Sequence, residues 1–322
     1  MKRALITGIG GFVGSHLTDY LLAQEVKVEG FIHPKHKIQE SLAQGVKLKV
    51  CDLLDKKKVA SAVNSTNYDY VFHLAAFSSP AASFTNPQQT LKNNIFCQLN
   101  LLEALAGVKS AAKILIVGSS EEYGNIDSKY LPVNENAPLA PLSPYAISKV
   151  AQDMLGYQFF LNKNLNIVRV RPFNHIGPAQ SHAFVVSSFA SKIAELEKKG
   201  GGTMSVGNLA TFRDFTDVRD IVRAYFLALV KGELGEVYNI GSGKAYKIAD
   251  ILKKLVSFSD SEIKVVFDKK LLRQAEIEKI FCDFSKFHKA TGWQARIPID
   301  TSLFDTIKYE RNKLSQSMKS KS

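Results

Sequence analysis

The sequence predicts a doubly wound α/β fold: a parallel sheet with helices on both faces, followed by a smaller second domain. Three observations carry that expectation. Apolar runs of strand length alternate with segments whose apolar residues recur at helical spacing. A run in mid-chain, Ile114-Leu115-Ile116-Val117, is apolar throughout, as a parallel strand covered on both sides must be. The opening strand leads directly into a glycine-rich turn and a helix, and such sheets bind ligands beyond the carboxyl ends of their strands.

In chain order, Ala4-Leu5-Ile6 forms the first strand and stops at Thr7-Gly8, after which Phe12, Val13, Leu17, Tyr20 and Leu21 mark a helix. Residues 26–33 and 47–52 alternate toward a second and a third strand, and 70–76 gives a fourth. A helix covers 94–106, with Ile95, Leu99, Leu102 and Leu105 on one face. The fifth strand is 113–118, a long helix begins near 142 with Ser143-Pro144 as its start signal, and 166–172 is the sixth strand. Beyond Pro172 the texture changes. Glycine, asparagine, histidine and proline crowd into Asn174-His175-Ile176-Gly177-Pro178, a helix covers 184–198, and Gly200-Gly201-Gly202 interrupts the chain. The expected organisation is a first domain over 1–171, a second mainly over 172–310 and a flexible tail over 311–322, with 236–240 returning a strand to the first sheet.

Composition bounds the function. The 322 residues are 45% hydrophobic and 22% charged, which is ordinary globular chemistry. The formal net charge is +12, yet the basic residues are dispersed and their longest run, Lys56-Lys57-Lys58, lies beside Asp52 and Asp55. That dispersal argues against a nucleic-acid or membrane partner. The three cysteines, Cys51, Cys97 and Cys282, are far apart and odd in number, so a reduced compartment with no structural metal is expected. No signal segment and no run of about 18 apolar residues is apparent, so a cytoplasmic location is expected.

Four groups of residues fall at strand carboxyl ends, where a ligand belongs. Gly8, Gly11 and Gly14 stand three apart, where missing side chains let backbone N–H groups and a helix N-terminus approach a pyrophosphate. The pattern is G-x-x-G-x-x-G, with Val13 where the common dinucleotide fingerprint has glycine, and such turns also occur with no ligand. Asp52, past the third strand, is placed to accept from an adenine amino group, or to cap the helix from Leu53 onward. Ser119-Ser120-Glu121-Glu122-Tyr123-Gly124 follows the fifth strand. Tyr145 and Lys149 stand four apart on a helix and so share a face, where a nearby ammonium favours phenolate and lowers a tyrosine from about 10 toward working pH. That arrangement makes a general acid/base.

The order Thr7-Gly8-x-x-Gly11-x-x-Gly14, Asp52-Leu53, His73-Leu74-Ala75-Ala76, Asn94, Ser119…Tyr123-Gly124 and Tyr145-x-x-x-Lys149 resembles the extended short-chain dehydrogenase/reductases, whose cofactor domain is a Rossmann sheet. Phe173-Asn174-His175-Ile176-Gly177-Pro178, Val206-Gly207-Asn208-Leu209 and Arg213-Asp214-Phe215-Thr216-Asp217 narrow the resemblance to the GDP-sugar enzymes, reductases of GDP-4-keto-6-deoxy-mannose first and GDP-mannose 4,6-dehydratases next. The resemblance implies that Tyr145 gives a proton to the sugar C4 oxygen, Ser119 hydrogen-bonds the same oxygen, and Lys149 holds the nicotinamide ribose. It implies cofactor contacts from Gly8, Gly11, Phe12, Val13, Gly14, His33, Asp52, Leu53, Leu74, Ala75, Ala76 and Asn94. Asn174 and Arg213 then grip the substrate diphosphate, with Arg273 and Glu276 on the nucleotide sugar.

The second strand ends in Phe31-Ile32-His33-Pro34-Lys35-His36-Lys37 without an acid before Glu40, which favours NADP(H), although a merely solvated turn leaves NAD(H) usable. Glu121 matches the base that a dehydratase requires, so reductase, dehydratase and 4-epimerase stay open, beside a dinucleotide-binding protein without catalysis. The helices near 87–106 and 145–162 resemble a four-helix homodimer interface, through Ile95, Leu99 and Leu102 on one and Leu155 and Phe159 on the other. Those same faces suit an internal core equally well.

Overall fold

The structure is a computed structural model and describes residues 1–35, 45–64, 66–272 and 276–319. In its first half β1 (Arg3–Thr7), α1 (Phe12–Ala23), β2 (Lys27–Ile32), β3 (Lys47–Val50), α2 (Lys56–Asn64), β4 (Tyr70–His73), α3 (Pro80–Thr85), α4 (Pro87–Gly107), β5 (Lys113–Val117), α5 (Pro144–Lys163) and β6 (Asn166–Pro172) alternate. The second half holds β7 (Asn174–Ile176), α6 (Val185–Lys198), β8 (Gly202–Val206), β9 (Phe212–Arg213), β10 (Phe215–Asp217), α7 (Val218–Lys231), β11 (Val237–Ile240), β12 (Tyr246–Lys247), α8 (Ile248–Val256), β13 (Ile263–Phe267), β14 (Lys279–Ile280), α9 (Ser285–Thr291) and α10 (Ile299–Lys319).

Seven strands form one parallel sheet in the order β11-β6-β5-β4-β1-β2-β3. The expected return of 236–240 is β11, paired with β6 from Val237 opposite Arg169 to Ile240 opposite Pro172. Side chains alternate across each strand, so neighbouring residues enter different cores. Ile6, Phe72 and Leu115 pack with Leu17, Ile221 and Leu229 under α1 and α7. Leu5, Val71 and Ile114 pack with Val59, Leu101 and Phe159 under α2, α4 and α5. Burial on both faces accounts for the apolar centres of β1, β4 and β5, whereas β2 carries Glu29 and β6 carries Arg169 and Arg171.

A second lobe has its own core, in which Val186, Phe189 and Ile193 of α6 meet Ile251 and Leu255 of α8 and Leu303 and Ile307 of α10. The tail expected from residue 311 is helical as far as Lys319, because α10 continues and Arg311 is held by both Glu197 carboxylate oxygens and the Phe258 carbonyl. The strand order reverses between β1 and β4, and a crevice opens beyond their carboxyl ends at such a switch point. No helix among the described residues is long and apolar enough to cross a membrane.

Candidate active site

A cleft of about 440 Å³ lies at the switch point, between the sheet and the second lobe. Its floor is the β1–α1 turn. Gly8 has φ +73°, a left-handed conformation that disfavours a side chain, and a Cβ there would stand 2.9 Å from the Ala75 Cα. A Cβ on Gly14 would stand 2.4 Å from the Gly8 carbonyl oxygen. Gly11 donates its N–H to that carbonyl at 3.0 Å and precedes α1 without capping it through a side chain. The first-turn N–H groups of α1 thus lack intrahelical acceptors and meet no acidic side chain, and Phe12, Val13 and Gly14 line the cleft. These features fit a dinucleotide pyrophosphate.

The end of β4 is pinned to β1. The Thr7 hydroxyl lies 2.9 Å from His73 Nδ1 and accepts the Ala75 N–H at 3.3 Å. Burial, helped by the Lys149 charge, pushes His73 down to about 3, so the ring is neutral at ordinary pH. Leu74 and Ala76 reach the cleft, while Ala75 gives its backbone to the close packing against Gly8.

Two of the expected cofactor contacts, Asn94 and Leu53, turn their side chains away from the cleft. Asn94 is fully buried behind the cleft, its amide spent on both the Phe77 N–H (2.8 Å) and carbonyl (3.0 Å) and on the Ser148 hydroxyl (2.9 Å). It braces the loop after β4 against α5 instead of facing a ligand. Leu53 packs its side chain into the core under α2 and α4, and its carbonyl accepts from Asn100 at 2.8 Å. Asp52 accepts the Leu54 N–H at 2.9 Å, which is the turn-capping alternative, and keeps its other oxygen 3.9 Å from His33 Nε2 at the ends of β2 and β3. Asp52 and His33 stand together beyond the carboxyl ends of β3 and β2. Lys37 and Glu40 fall outside the described residues, as does Arg273.

The reactive groups hang from β5 and α5. Ser119 caps a short helical turn over Ser120–Tyr123: its hydroxyl accepts the Glu121 N–H at 3.2 Å, and the Glu122 carboxylate accepts the Ser119 N–H at 2.7 Å. This reciprocal cap fixes the Ser119 backbone. Ser119 and Tyr145 line the cleft together. Lys149, one turn further along α5, donates to the Val117 carbonyl at 2.8 Å and stands 5.9 Å from the centre of the Tyr145 ring. Glu121 lines the cleft beside them.

The expected acidification of the phenol by Lys149 is not what the site produces. Burial dominates and raises Tyr145 well above the usual phenol value; the nearby Ser119 side chain lowers it, while the Glu121 and Glu122 charges raise it further. Burial also lowers Lys149 to about 8, with the Glu122 charge opposing that fall. The phenol therefore keeps its proton at ordinary pH, while the lysine loses its own as pH rises through about 8.

Beneath this pair lies a charge network that spacing alone did not single out. Arg169 donates to one Asp153 oxygen at 2.9 Å and Arg171 to the other at 2.9 Å, while Arg171 Nε stands 3.1 Å from Glu122. The Arg171 fork also donates to the Tyr123 hydroxyl at 3.0 Å, which in turn donates to Asn239 at 2.7 Å. The guanidinium groups face Asp153 and Glu122 as buried ions require, but Glu122 Oε2 and Arg169 Nε have no hydrogen-bond partner, and burial with the Asp153 charge raises Glu122 to about 8. The Ser-x-x-Glu spacing of Ser119 and Glu122 is a readable capping signal.

The opposite wall carries Asn174 at the start of β7, Arg213 on β9 and Glu276. Asn208 donates to Glu276 at 2.7 Å. Asp214, beside Arg213, is buried and accepts from Ser242 N (2.8 Å), Gly243 N (2.9 Å) and Cys282 N (3.1 Å), as well as from the Ser242 hydroxyl. That clamp fixes the backbone from which Arg213 projects. Phe12 stacks on His175 with centroids 6.0 Å apart, joining the glycine turn to the second wall. Among the described residues no group of three or more histidine, cysteine or acidic side chains could hold a metal.

A family model described as GDP-mannose 4,6 dehydratase matches residues 5–306. The chain is 33% identical over 304 residues to the GDP-6-deoxy-D-mannose reductase of Pseudomonas aeruginosa, covering 94% of this chain and 95% of that protein. It is 25% identical over 340 residues to the GDP-mannose 4,6-dehydratase of Vibrio cholerae, covering 92% and 91% respectively. Among solved structures it superposes on RMD from Pseudomonas aeruginosa complexed with NADPH, with a TM-score of 0.84 at 31% identity over 97% of this chain and 100% of that one. The UDP-glucose 4-epimerase of Thermotoga maritima, solved with UDP-glucose, gives a TM-score of 0.87 at 28% identity over 97% and 99%.

Proposed function

The chain belongs to the GDP-mannose 4,6 dehydratase family of NAD(P)-dependent nucleotide-sugar enzymes, and from that premise we propose that it reduces the C4 keto group of GDP-4-keto-6-deoxy-D-mannose with NADPH. The product is a GDP-6-deoxyhexose of the GDP-D-rhamnose type. The observation that carries this reading is that Ser119 and Tyr145 line one cleft at the edge of the glycine cradle, with burial keeping the phenol protonated. Reduction of a ketone takes up one hydride and one proton, and a phenol that holds its proton is suited to supply the second.

Bound on the cradle, the reduced nicotinamide supplies the hydride. Tyr145 gives its proton to the C4 oxygen, Ser119 hydrogen-bonds that oxygen, and the Lys149 ammonium holds the nicotinamide ribose. Asn174 and Arg213 grip the diphosphate, where the planar guanidinium fork matches phosphate oxygens. Glu276, steadied by Asn208, binds the nucleotide sugar, together with Arg273. His33 and Lys35, with no acid between them, suit the 2′-phosphate of NADP(H) over the bare hydroxyl of NAD(H). We assign cofactor binding to residues 1–171 with the returned strand and substrate binding mainly to 172–310.

Mixing the protein with NADPH and GDP-4-keto-6-deoxy-D-mannose and following nicotinamide absorbance tests the reading: consumption of NADPH supports it, and unchanged absorbance discards it. Glu121 in the cleft wall favours a second reading, GDP-mannose 4,6-dehydratase, which releases water from GDP-mannose with no net cofactor consumption.

We also propose a cytoplasmic homodimer. Of the residues expected to pair, Leu102 and Phe159 are core and Leu99 packs against them, while Ile95 and Leu155 are half-buried. A different face, with Ile147, Met154, Tyr157 and Leu161 of α5 and Phe96 of α4, each at least 40% exposed, is the apolar surface a second copy would cover. Met154→Asp is expected to give a monomer by light scattering, and a dimer that survives this change moves the interface elsewhere.

A further inference from the structure

Tyr225 on α7 is one of the largest fully buried side chains, 1% exposed, yet it lines the cleft. Its ring belongs to the core on the α1 side of the sheet, with Ile6, Leu115 and Val218, against which Phe12, Val13 and Val117 also pack. Tyr145 approaches the same cleft from α5, on the other face. The cleft is thus flanked by two phenols.

A buried phenol ordinarily spends its hydroxyl on the protein. Tyr68 donates to Glu29, Tyr123 to Asn239, and Tyr238 accepts the Glu233 N–H. Tyr225 has no such partner among the described residues. Neither does its hydroxyl belong to the polar atoms sealed from solvent without a partner, which are Gln98 Oε1, Glu122 Oε2, Gln152 Oε1, Arg169 Nε, Gln180 Oε1 and Thr216 Oγ1. A side chain so nearly enclosed, whose hydroxyl is unpaired but not sealed, has one outlet: the cleft it lines.

We propose that the Tyr225 hydroxyl hydrogen-bonds the carboxamide of the bound nicotinamide and so fixes the ring that receives Tyr145 and Ser119 from the opposite side. The assignment rests on reading the cleft as a nicotinamide site. Its chemistry follows from the company Tyr225 keeps. Pyrophosphate is served by backbone N–H groups at α1, whereas a neutral phenol matches a neutral group that both donates and accepts, as a primary amide does. Helix α7 packs against β5, whose end leads into Ser119, and Tyr225 lines the cleft with Ser119 and Tyr145, which puts its hydroxyl at the reacting end of the dinucleotide and not at the adenine end.

The test compares Tyr225→Phe with the unaltered protein by calorimetric titration with NADPH and with adenosine 2′,5′-bisphosphate, which carries the phosphates but no nicotinamide. The expected result is an NADPH dissociation constant raised about five-fold, the worth of one net hydrogen bond, and an unchanged constant for the fragment. An unchanged NADPH constant overturns the proposal, and so does an equal loss for both ligands, which marks a packing role. A second measurement needs no substitution: the reduced 3-acetylpyridine analogue of NADPH has a methyl ketone in place of the amide, and the unaltered protein should bind it about five-fold more weakly than NADPH. Equal binding of the two contradicts an amide contact. If the unaltered protein binds NADPH in neither titration, it is the nicotinamide reading itself that fails.

Discussion

Ser119 follows β5 of a continuous parallel sheet sealed on both faces, and Tyr145 and Lys149 stand on the helix α5 that packs on that sheet, whereas Asn174, Arg213 and Glu276 come from strands of two or three residues and the loops between them. On the sheet side, position is set by the backbone: the ladder aligns β1, β4 and β5, Gly8 packs directly on Ala75, and a reciprocal cap holds Ser119. On the other side it is set by single side chains, Asp214 clamping the turn behind Arg213 and Asn208 steadying Glu276. The proposed chemistry is thus mounted on the part that is hardest to deform, and the proposed ligand recognition on the part that one substitution alters.

The contrast breaks first at the reactive phenol. Tyr145→Phe removes the proton donor without disturbing its packing, and NADPH oxidation should fall by about 10²–10⁴-fold with the melting temperature and NADPH affinity nearly unchanged. A parallel loss of affinity would mean that Tyr145 supports structure and not proton transfer. Next comes the network under the sheet. Asp153→Ala strands the guanidinium groups of Arg169 and Arg171 in the interior, and denaturant unfolding should show a loss of about 3–5 kcal/mol. A loss below about 1 kcal/mol would show that the pair is solvated after all.

Lys149 gives a pH signature on the same side. Its proton leaves at about 8 in the folded chain against 10.5 for an ordinary lysine, so the ammonium that holds the ribose is lost as pH rises through 8. The rate at saturating sugar should fall about ten-fold by pH 9, and Lys149→Arg should abolish that limb, because arginine stays charged. The unfolded chain binds the extra proton between pH 8 and 10.5, so this residue makes folding more favourable as pH rises through that window. Smallest is the effect expected in the second wall. Asp214→Asn keeps the shape but weakens the clamp, raising KM for the sugar nucleotide about five-fold while NADPH affinity holds. Equal changes in both constants would erase the distinction between the two walls.

The same distinction governs what could be read from residues alone. Glycines three apart and a tyrosine four before a lysine announce their geometry, because strand, turn and helix have fixed periods. Strands as short as Phe212–Arg213 have no period to detect, and Arg213 was reachable only through family likeness. Likeness in turn gives position but not facing: Asn94 and Leu53 stand at the expected positions yet face loop backbone and core. Tyr225 was hidden for the opposite reason. Beside Ile221, Val222, Ala228 and Leu229 it reads as one more core residue of α7, and only the unpaired hydroxyl distinguishes it. The phenol of Tyr145 shows that spacing gives neighbours without ranking them, since desolvation outweighs the cation that the i, i+4 pattern supplied.

The central claim is that this cleft delivers a hydride and a proton to a sugar ketone. NADPH carrying deuterium at the transferable C4 position of its nicotinamide, mixed with GDP-4-keto-6-deoxy-D-mannose, should leave the label on C4 of the 6-deoxyhexose in amounts equal to the NADP⁺ formed. Deuterium that stays in the dinucleotide, with the keto sugar unchanged, contradicts the account.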